Sequence, residues 1–339
     1  MMKQFTIPMP LRYAINTTLL IAFLFFGNLI MQSGILPGAQ RNNIIQIGFF
    51  IILAVSLNLV AGYLGQLPLG HAGFMAIGAY SGAIFWRSGL LHGDLSMVVG
   101  LLVAGVVAAI FGLLIGIPAL RLRGDYLAII TLGFGEMIRV LINNIPSITG
   151  GAMGLSLHRH QYATFLVVYT CVIITCGAIH MLMKSRHGRA ILSIRENEIA
   201  AEACGINTTY YKVLAFTVSA FFAGIAGALF ATNIGFLTPG AFTFMQSIDI
   251  LMIVVLGGMG SMAGAVIAAA VLTTLPVVMQ WLSEWRMVIF ALMLIVVMIF
   301  KPSGLLGTYD FSLSRILEKL IRRIMAARTS KGGAGNGQT

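Results

Sequence analysis

The sequence predicts an all-α protein: a polytopic transmembrane helical bundle of about ten spans. Three observations carry this reading. The 339 residues are 58% apolar and only 9% charged, well under half the charge of a typical soluble domain. A bilayer core of about 30 Å is crossed by roughly 20 residues of helix, and about ten apolar stretches approach that length. The basic residues, finally, gather in gaps that fall on one side of the resulting topology.

The stretches run in order. Residues 15–36 come first, behind Lys3 and Arg12; the run is long enough to span and has no small-residue cleavage site, so it reads as a retained helix and not a secretory leader. Further spans are expected at 44–63, 69–87, 96–118, 125–142, 162–183, 211–233, 242–258, 261–281 and 286–300. Arg121 and Arg123 follow the fourth span, Lys184 to Lys212 follow the sixth, and Arg315 to Lys331 lie in the tail. With ten spans all these groups share one face with the N terminus. The positive-inside rule then makes that face cytoplasmic. The organisation is a cytoplasmic N terminus (1–14), a membrane domain (15–300) interrupted by a charged cytoplasmic loop (184–210), and a cytoplasmic tail (301–339). Loops 143–161 and 234–241 face outward.

A net charge of +11 would suggest nucleic acid in a soluble protein, but here the basic residues orient a membrane chain, and no nucleic-acid partner is expected. Membrane lipid is the expected neighbour of the tail, whose "LSRILEKLIRRIMAARTS" is a basic amphipathic stretch. Cys171, Cys176 and Cys204 show no disulfide or metal spacing. The 39 glycines cluster with alanine in "HAGFMAIGAYSGA", "FFAGIAGALFA" and "GGMGSMAGAVIAAA", which predicts close helix packing. "GQLPLGHAGF" leads into the third span and the similar "GFLTPGAFTF" into the eighth. Five spans separate them, so the two copies run in opposite directions. A 5+5 inverted repeat follows as an expectation.

Enzyme chemistry finds no residues to carry it. No Gly-Lys dipeptide occurs, so there is no phosphate loop and no ATPase site of the usual kind. His158 and His160 lack Cys, Asp or Glu beside them, and no metal site is expected. No catalytic nucleophile with a nearby base is visible. His71, at the start of the third span, reads better as a hydrogen-bonded packing residue than as a proton relay, though it stays a permeation or gating candidate. Glu136 and Arg139 lie inside the fifth span, where ionisable residues are costly. Their spacing of three lets them pair. Two readings stay open: a self-satisfied strut against a neighbouring helix, or a role in permeation or gating.

The charged loop holds "RHGRAILSIRENEIAAEACGI", residues 186–206. A helix is predicted over Ala190 to Cys204, with Leu192, Ile199 and Ala203 on one apolar stripe and Gly205 as its stop. Glu198 and Glu202, four apart, repel each other, a cost that a basic surface on another protein would relieve. A docking helix on a membrane protein without an ATP site points to a partner that supplies the energy.

Four blocks bear a family likeness: "GYLGQLPLGHAGFMAIGAYSGA", "RLRGDYLAIITLGFGEMIRVLINN" with "ITGGAMGL", "SRHGRAILSIRENEIAAEACGI", and "VVLGGMGSMAGAVIAAA". The chain resembles the LivM-type membrane subunit of branched-chain amino acid ABC importers. The resemblance implies a bacterial inner-membrane permease half. Its partners would be a second homologous permease, two ATP-binding subunits and a periplasmic solute-binding protein; the chain itself would carry no cofactor, ATP being hydrolysed by the partners. It places Arg195, Glu196, Glu198, Ala201, Glu202 and Gly205 against the ATPase. It also puts Asn143, Asn144, Thr149, Gly150 and Gly151 where the binding protein docks. Pro68 and Met153 depart from the family pattern, where Ser and a polar residue are frequent, and relatives of similar pattern carry urea or short amides. A stand-alone secondary carrier or channel is the rival class, disfavoured by the scarcity of buried carboxylates.

Overall fold

The computed structural model of the chain describes residues 9–278 apart from 35, 92, 123 and 158–162, together with 285, 288, 292, 295 and 299. Lys3, His158, His160, the tail 301–339 and nearly all of the expected last span lie outside the described residues. The helices are α1 (Met9–Gln32), α2 (Gly38–Asn58), α3 (His71–Ser88), α4 (Asp94–Ala119), α5 (Asp125–Asn143), α6 (Pro146–Thr149), α7 (Phe165–Lys184), α8 (Arg186–Glu196), α9 (Glu198–Ala203), α10 (Thr208–Ile234), α11 (Phe244–Gly257) and α12 (Met262–Val278). A π-helical turn, Leu59–Tyr63, prolongs α2, and 3₁₀ turns occupy Gly151–Met153 and Pro239–Ala241. The chain divides into two compact units, Met1–Ile35 with Asp310–Thr339, and Leu36–Tyr309. In the first unit α1 is the described element; the second holds the rest.

Among the described residues six helices are long and apolar enough to cross a membrane: Gly38–Tyr63, Leu95–Ala119, Tyr126–Asn143, Phe165–Lys184, Thr208–Ile234 and Pro239–Gly257. Leu20–Gln32 and Met262–Val277 are shorter apolar helices. The protein is therefore an all-α, multi-pass membrane protein. Of the expected spans, all but the last coincide with a described helix to within a few residues.

The centre of the second unit is α3 packed against α10, with α4 covering both. Helices gain nothing from hydrophobic burial when the alternative is lipid, so their association relies on close contact and dispersion. Small side chains supply the closeness. A Cβ placed on Gly78 of α3 would collide with the backbone of Gly224 on α10, and one on Gly227 with the carbonyl of Met75. Around this seam, aromatic edges interlock: Phe74 meets Phe216 at 5.3 Å between centroids, and Phe230 meets both Phe49 and Phe242 at 5.5 and 5.6 Å. At the far end of α3, the Trp86 indole N–H donates to the Ser96 carbonyl at 2.9 Å, tying α3 to the start of α4.

Two short strands, β1 (Leu155–Ser156) and β2 (Phe236–Leu237), pair antiparallel, with Leu155 opposite Leu237. They join the loops that the charge pattern put on one outer face. Among the described residues this is the only sheet.

The α3–α10 seam generates a test. Gly78→Val forces a branched side chain into the Gly224 backbone and is expected to abolish recovery of monodisperse protein in mild detergent. Gly177 of α7 has open space around its missing Cβ. Gly177→Ala is expected to leave recovery unchanged and to raise thermal stability by up to about 1 kcal/mol, since glycine is a weak helix former.

Candidate functional site

The charged loop folds as two helices, not one. The Ser185 hydroxyl accepts from the N–H groups of His187 and Gly188 and so starts α8. Asn197 is extended, with φ −161° and ψ 109°, and breaks the expected Ala190 to Cys204 helix; its side chain accepts from the Ala200 N–H at 3.0 Å and caps α9. Gly205, at φ +81°, donates to the Glu202 carbonyl at 2.9 Å and ends the segment as expected. The break rotates the stripe. Gly188, Ala190, Ile191, Ile194 and Ala201 are buried, whereas Ile199 is 69% exposed and Ala203 is open.

The acids of this segment have partners within the chain. Glu198 Oε2 lies 2.7 Å from Nζ of Lys212, whose side chain is only 3% exposed. Lys212 sits one turn into α10, so the pair ties α9 to that helix. Glu202 Oε1 accepts from the Thr208 hydroxyl at 2.6 Å. The expected Glu198–Glu202 repulsion is thus relieved by α10 itself. Arg195 lies across two glycine turns. A Cβ on Gly65 would sit 3.0 Å from its Cγ, and a Cβ on Gly260 would sit 3.0 Å from its Nη1. Glu196 is exposed beside it.

Beneath Arg195, the fully buried Asn58 accepts from the Gly260 N–H at 2.9 Å and donates to the Ser261 carbonyl at 3.1 Å. Gly62 of the π turn lies against Gly260 so closely that a Cβ would collide. Ser261 in turn accepts from the Gly264 N–H at 3.1 Å and starts α12. The ends of α8, α2 and α11 and the start of α12 therefore form one polar knot.

Residues 64–70 are not helical; the Leu64 and Gln66 N–H groups donate back to the π turn, and that of Leu69 is met from another helix. The Leu69 N–H donates to Thr131 Oγ1 of α5 at 3.0 Å, while that hydroxyl donates to the Leu127 carbonyl at 2.8 Å. His71 opens α3, fully buried, with Nε2 at 3.1 Å from Ser56 Oγ. The Ser56 hydroxyl also reaches the Leu53 carbonyl, at 2.9 Å. His71 is held as a packing residue. The Ala72 N–H donates to Ser247 Oγ at 3.0 Å, so the first turns of α3 and α11 lie alongside each other.

Glu136 and Arg139 pair, Oε2 to Nε at 2.6 Å, with side chains 28% and 35% exposed. The other Glu136 oxygen accepts from the Phe244 N–H at 3.1 Å, at the first turn of α11. The pair braces α5 against α11, as the strut reading expects.

In the outer loop the Thr149 hydroxyl lies 2.6 Å from the Ile142 carbonyl and 2.7 Å from that of Ile145, and accepts from the Gly151 N–H at 3.2 Å. Thr149 and Gly151 are buried. Asn143, Asn144, Ala152 and Met153 supply the exposed surface there, and Gly150 turns the chain at φ +76°. Sequence reasoning missed Asn58, Thr131, Lys212 and Ser247. For Asn58 and Thr131 the signal was a lone polar residue inside an apolar stretch. Among the described residues no cluster of His, Cys, Asp or Glu could hold a metal ion.

The family described as branched-chain amino acid transport system / permease component matches residues 41–298. The chain is 39% identical over 290 residues to the high-affinity branched-chain amino acid transport system permease protein LivM of Salmonella typhimurium and, equally, of Escherichia coli, covering 76% of this chain and 67% of each relative. It is also 27% identical over 281 residues to the LivH permease of Escherichia coli, covering 91% of that protein. No solved structure gives a match.

The Glu198–Lys212 pair can be tested directly. Glu198→Gln strands a buried ammonium and is expected to destabilise the protein by about 3 kcal/mol, read by thermal unfolding in detergent. The double variant Glu198→Gln/Lys212→Met removes both charges and is expected to recover most of that loss.

Proposed function

Because the chain belongs to the family of permease components of branched-chain amino acid transport systems, we propose that it is the membrane subunit through which such a system passes branched-chain amino acids. The observation that carries this is the 39% identity to LivM over 290 residues. It is a transporter subunit and not an enzyme. The full assembly is an ABC importer: this chain, a second homologous permease, two ATP-binding subunits and a periplasmic solute-binding protein. Similarity to both LivM and LivH supports a paired, homologous permease.

The chain sits in the bacterial inner membrane with both termini cytoplasmic and ten spans in a 5+5 inverted arrangement. Two groupings support that topology. The knot of Asn58, Gly62, Arg195 and Gly260 gathers loops expected inside, and β1 with β2 gathers loops expected outside. The repeat is supported by α3 and α11, each of which starts after an irregular stretch and which meet at their first turns.

In this reading the segment α8–α9 seats in the ATPase. Ile199, Glu196 and Glu202 form its open face, while Glu198 and Ala201 fix it to the bundle and Gly205 ends it. ATP-driven movement of the segment passes through Arg195 to the π turn of α2 and to the α11–α12 turn. Opposite, Asn143, Asn144 and the Gly150–Gly151 turn receive the binding protein. ATP is bound and hydrolysed by the partners, and no cofactor resides in this chain.

The experiment is ATP-driven uptake of leucine, isoleucine and valine by the co-expressed complex in proteoliposomes, with urea and acetamide as comparison cargo. Uptake of the amino acids is expected; uptake of urea in their place, or transport by this chain alone, would overturn the assignment. Ile199→Asp puts a charge on the apolar centre of the docking face. It is expected to weaken ATPase co-purification about tenfold with the fold unchanged, in line with the weight of central apolar contacts at interfaces.

A further inference from the structure

The two spans that flank the charged loop bring basic side chains to one level. Helix α7 ends at Lys184 and α10 begins at Thr208, so Lys184 and the Tyr210–Tyr211 pair stand where two apolar helices leave the bilayer on the same side. Tyrosine is enriched at that depth, where its ring meets lipid headgroups. Tyr210 is 53% exposed, and the ring centroids of Tyr211 and His187 are 5.8 Å apart. The turn between α7 and α8 is tight, for a Cβ on Gly188 would collide with the Met183 backbone. Helix α8 therefore starts directly against the end of α7. Lys184, Arg186, His187 and Arg189 are all exposed there.

These charges are not answered within the chain. From Phe165 to Arg195 there is no Asp or Glu. Among the described residues no carboxylate pairs with Lys184, Arg186 or Arg189; Glu198 and Glu202 of the same loop answer Lys212 and Thr208 instead. Arg186 opens α8, where the positive end of the helix dipole disfavours a cation. Arg189 Nη1 donates back to the Lys184 carbonyl at 3.5 Å, which holds its guanidinium near the end of α7. On α7 itself Ile174, Ala178 and Met181 are exposed at spacings of four and three. They form an apolar stripe on one side of the helix, and Lys184, three residues further, continues it.

A cationic cluster at headgroup depth, at the end of an open apolar stripe, has a definite chemical complement. Guanidinium and ammonium groups suit a phosphodiester, and the stripe suits an acyl chain. We propose that Lys184, Arg186 and Arg189 bind the headgroup of an anionic phospholipid whose acyl chain lies along Ile174, Ala178 and Met181. The ATPase reading uses the other end of the same loop, and Glu196 stands about 15 Å along α8 from Arg186. The loop is thus basic where it meets the bilayer and acidic further on. A lipid held at its start fixes the α7–α8 turn to the membrane surface and leaves Glu196, Ile199 and Glu202 free for a protein.

The test is native mass spectrometry of the full-length chain in mild detergent, with dioleoyl phosphatidylglycerol and dioleoyl phosphatidylcholine added in equal amounts. The wild type is expected to retain phosphatidylglycerol at least fivefold over phosphatidylcholine. In Lys184→Gln/Arg186→Gln/Arg189→Gln, where only exposed side chains change, that preference is expected to fall below twofold. Arg41→Gln/Arg87→Gln/Arg121→Gln removes the same three charges from exposed sites elsewhere and is expected to keep the wild-type preference. Equal retention of the two lipids by the wild type overturns the inference. So does an equal loss in both triple variants, because net charge would then be the cause. A preference that survives the Lys184, Arg186 and Arg189 changes overturns it too; loss of the ATPases from that variant's complex would then assign the cluster to an acidic protein surface.

Discussion

Inside a bilayer no water can satisfy a free backbone N–H, and that constraint organises the breaks in this bundle. Four such groups are closed by side chains from other elements. Leu69 donates to Thr131, Ala72 to Ser247, Phe244 to Glu136 and Gly260 to Asn58. An orphaned buried donor costs about 1–3 kcal/mol, so each acceptor is a condition for the chain to leave the helical path at that point. The acceptors come from α2, α5 and α11. The irregular stretches are thereby tied to the helices that surround them.

These ties connect surface to interior. On one side, α8 and α9 rest on α10 through the Glu198–Lys212 pair, and Arg195 reaches from α8 over Gly65 and Gly260. Asn58 links the same turn to α2. On the other, Glu136 links α5 to α11, and α11 reaches back to α3 through Ser247. The α8–α9 segment is thereby bonded to α10 and packed on the turns that precede α3 and α12. The α3–α10 seam is dense, because backbones in direct contact leave no slack.

Much of this was legible beforehand. Periodic apolar runs and their lengths give α2 to α5, α7 and α10 to α12 close to their observed bounds, since the bilayer thickness sets helix length. The Glu136–Arg139 pairing was readable from a spacing of three, which places both side chains on one helix face. The likeness of "GQLPLGHAGF" and "GFLTPGAFTF" pointed to two matched irregular stretches. The charged loop was legible as a helical segment but not in its detail. Asn197 could extend or continue a helix with similar ease, and capping of α9 decided it. That one residue separated Ile199 from the buried face of α8 and left it open.

By itself, then, the sequence determined what local and one-dimensional physics controls: a membrane chain, its helices in order, and a charged segment set between two of them. Only the tertiary structure decided which polar residue answers which. Lys212 is a basic residue near a span until Glu198 from another helix lies 2.7 Å away, and Asn58 is a stray amide until Gly260 and Ser261 close on it. Such partners stand up to some 200 positions apart in the chain. Hydrogen bonds and ion pairs act over a few ångströms of space and leave no trace in spacing along one strand of sequence, so the site's connections had to wait for the fold.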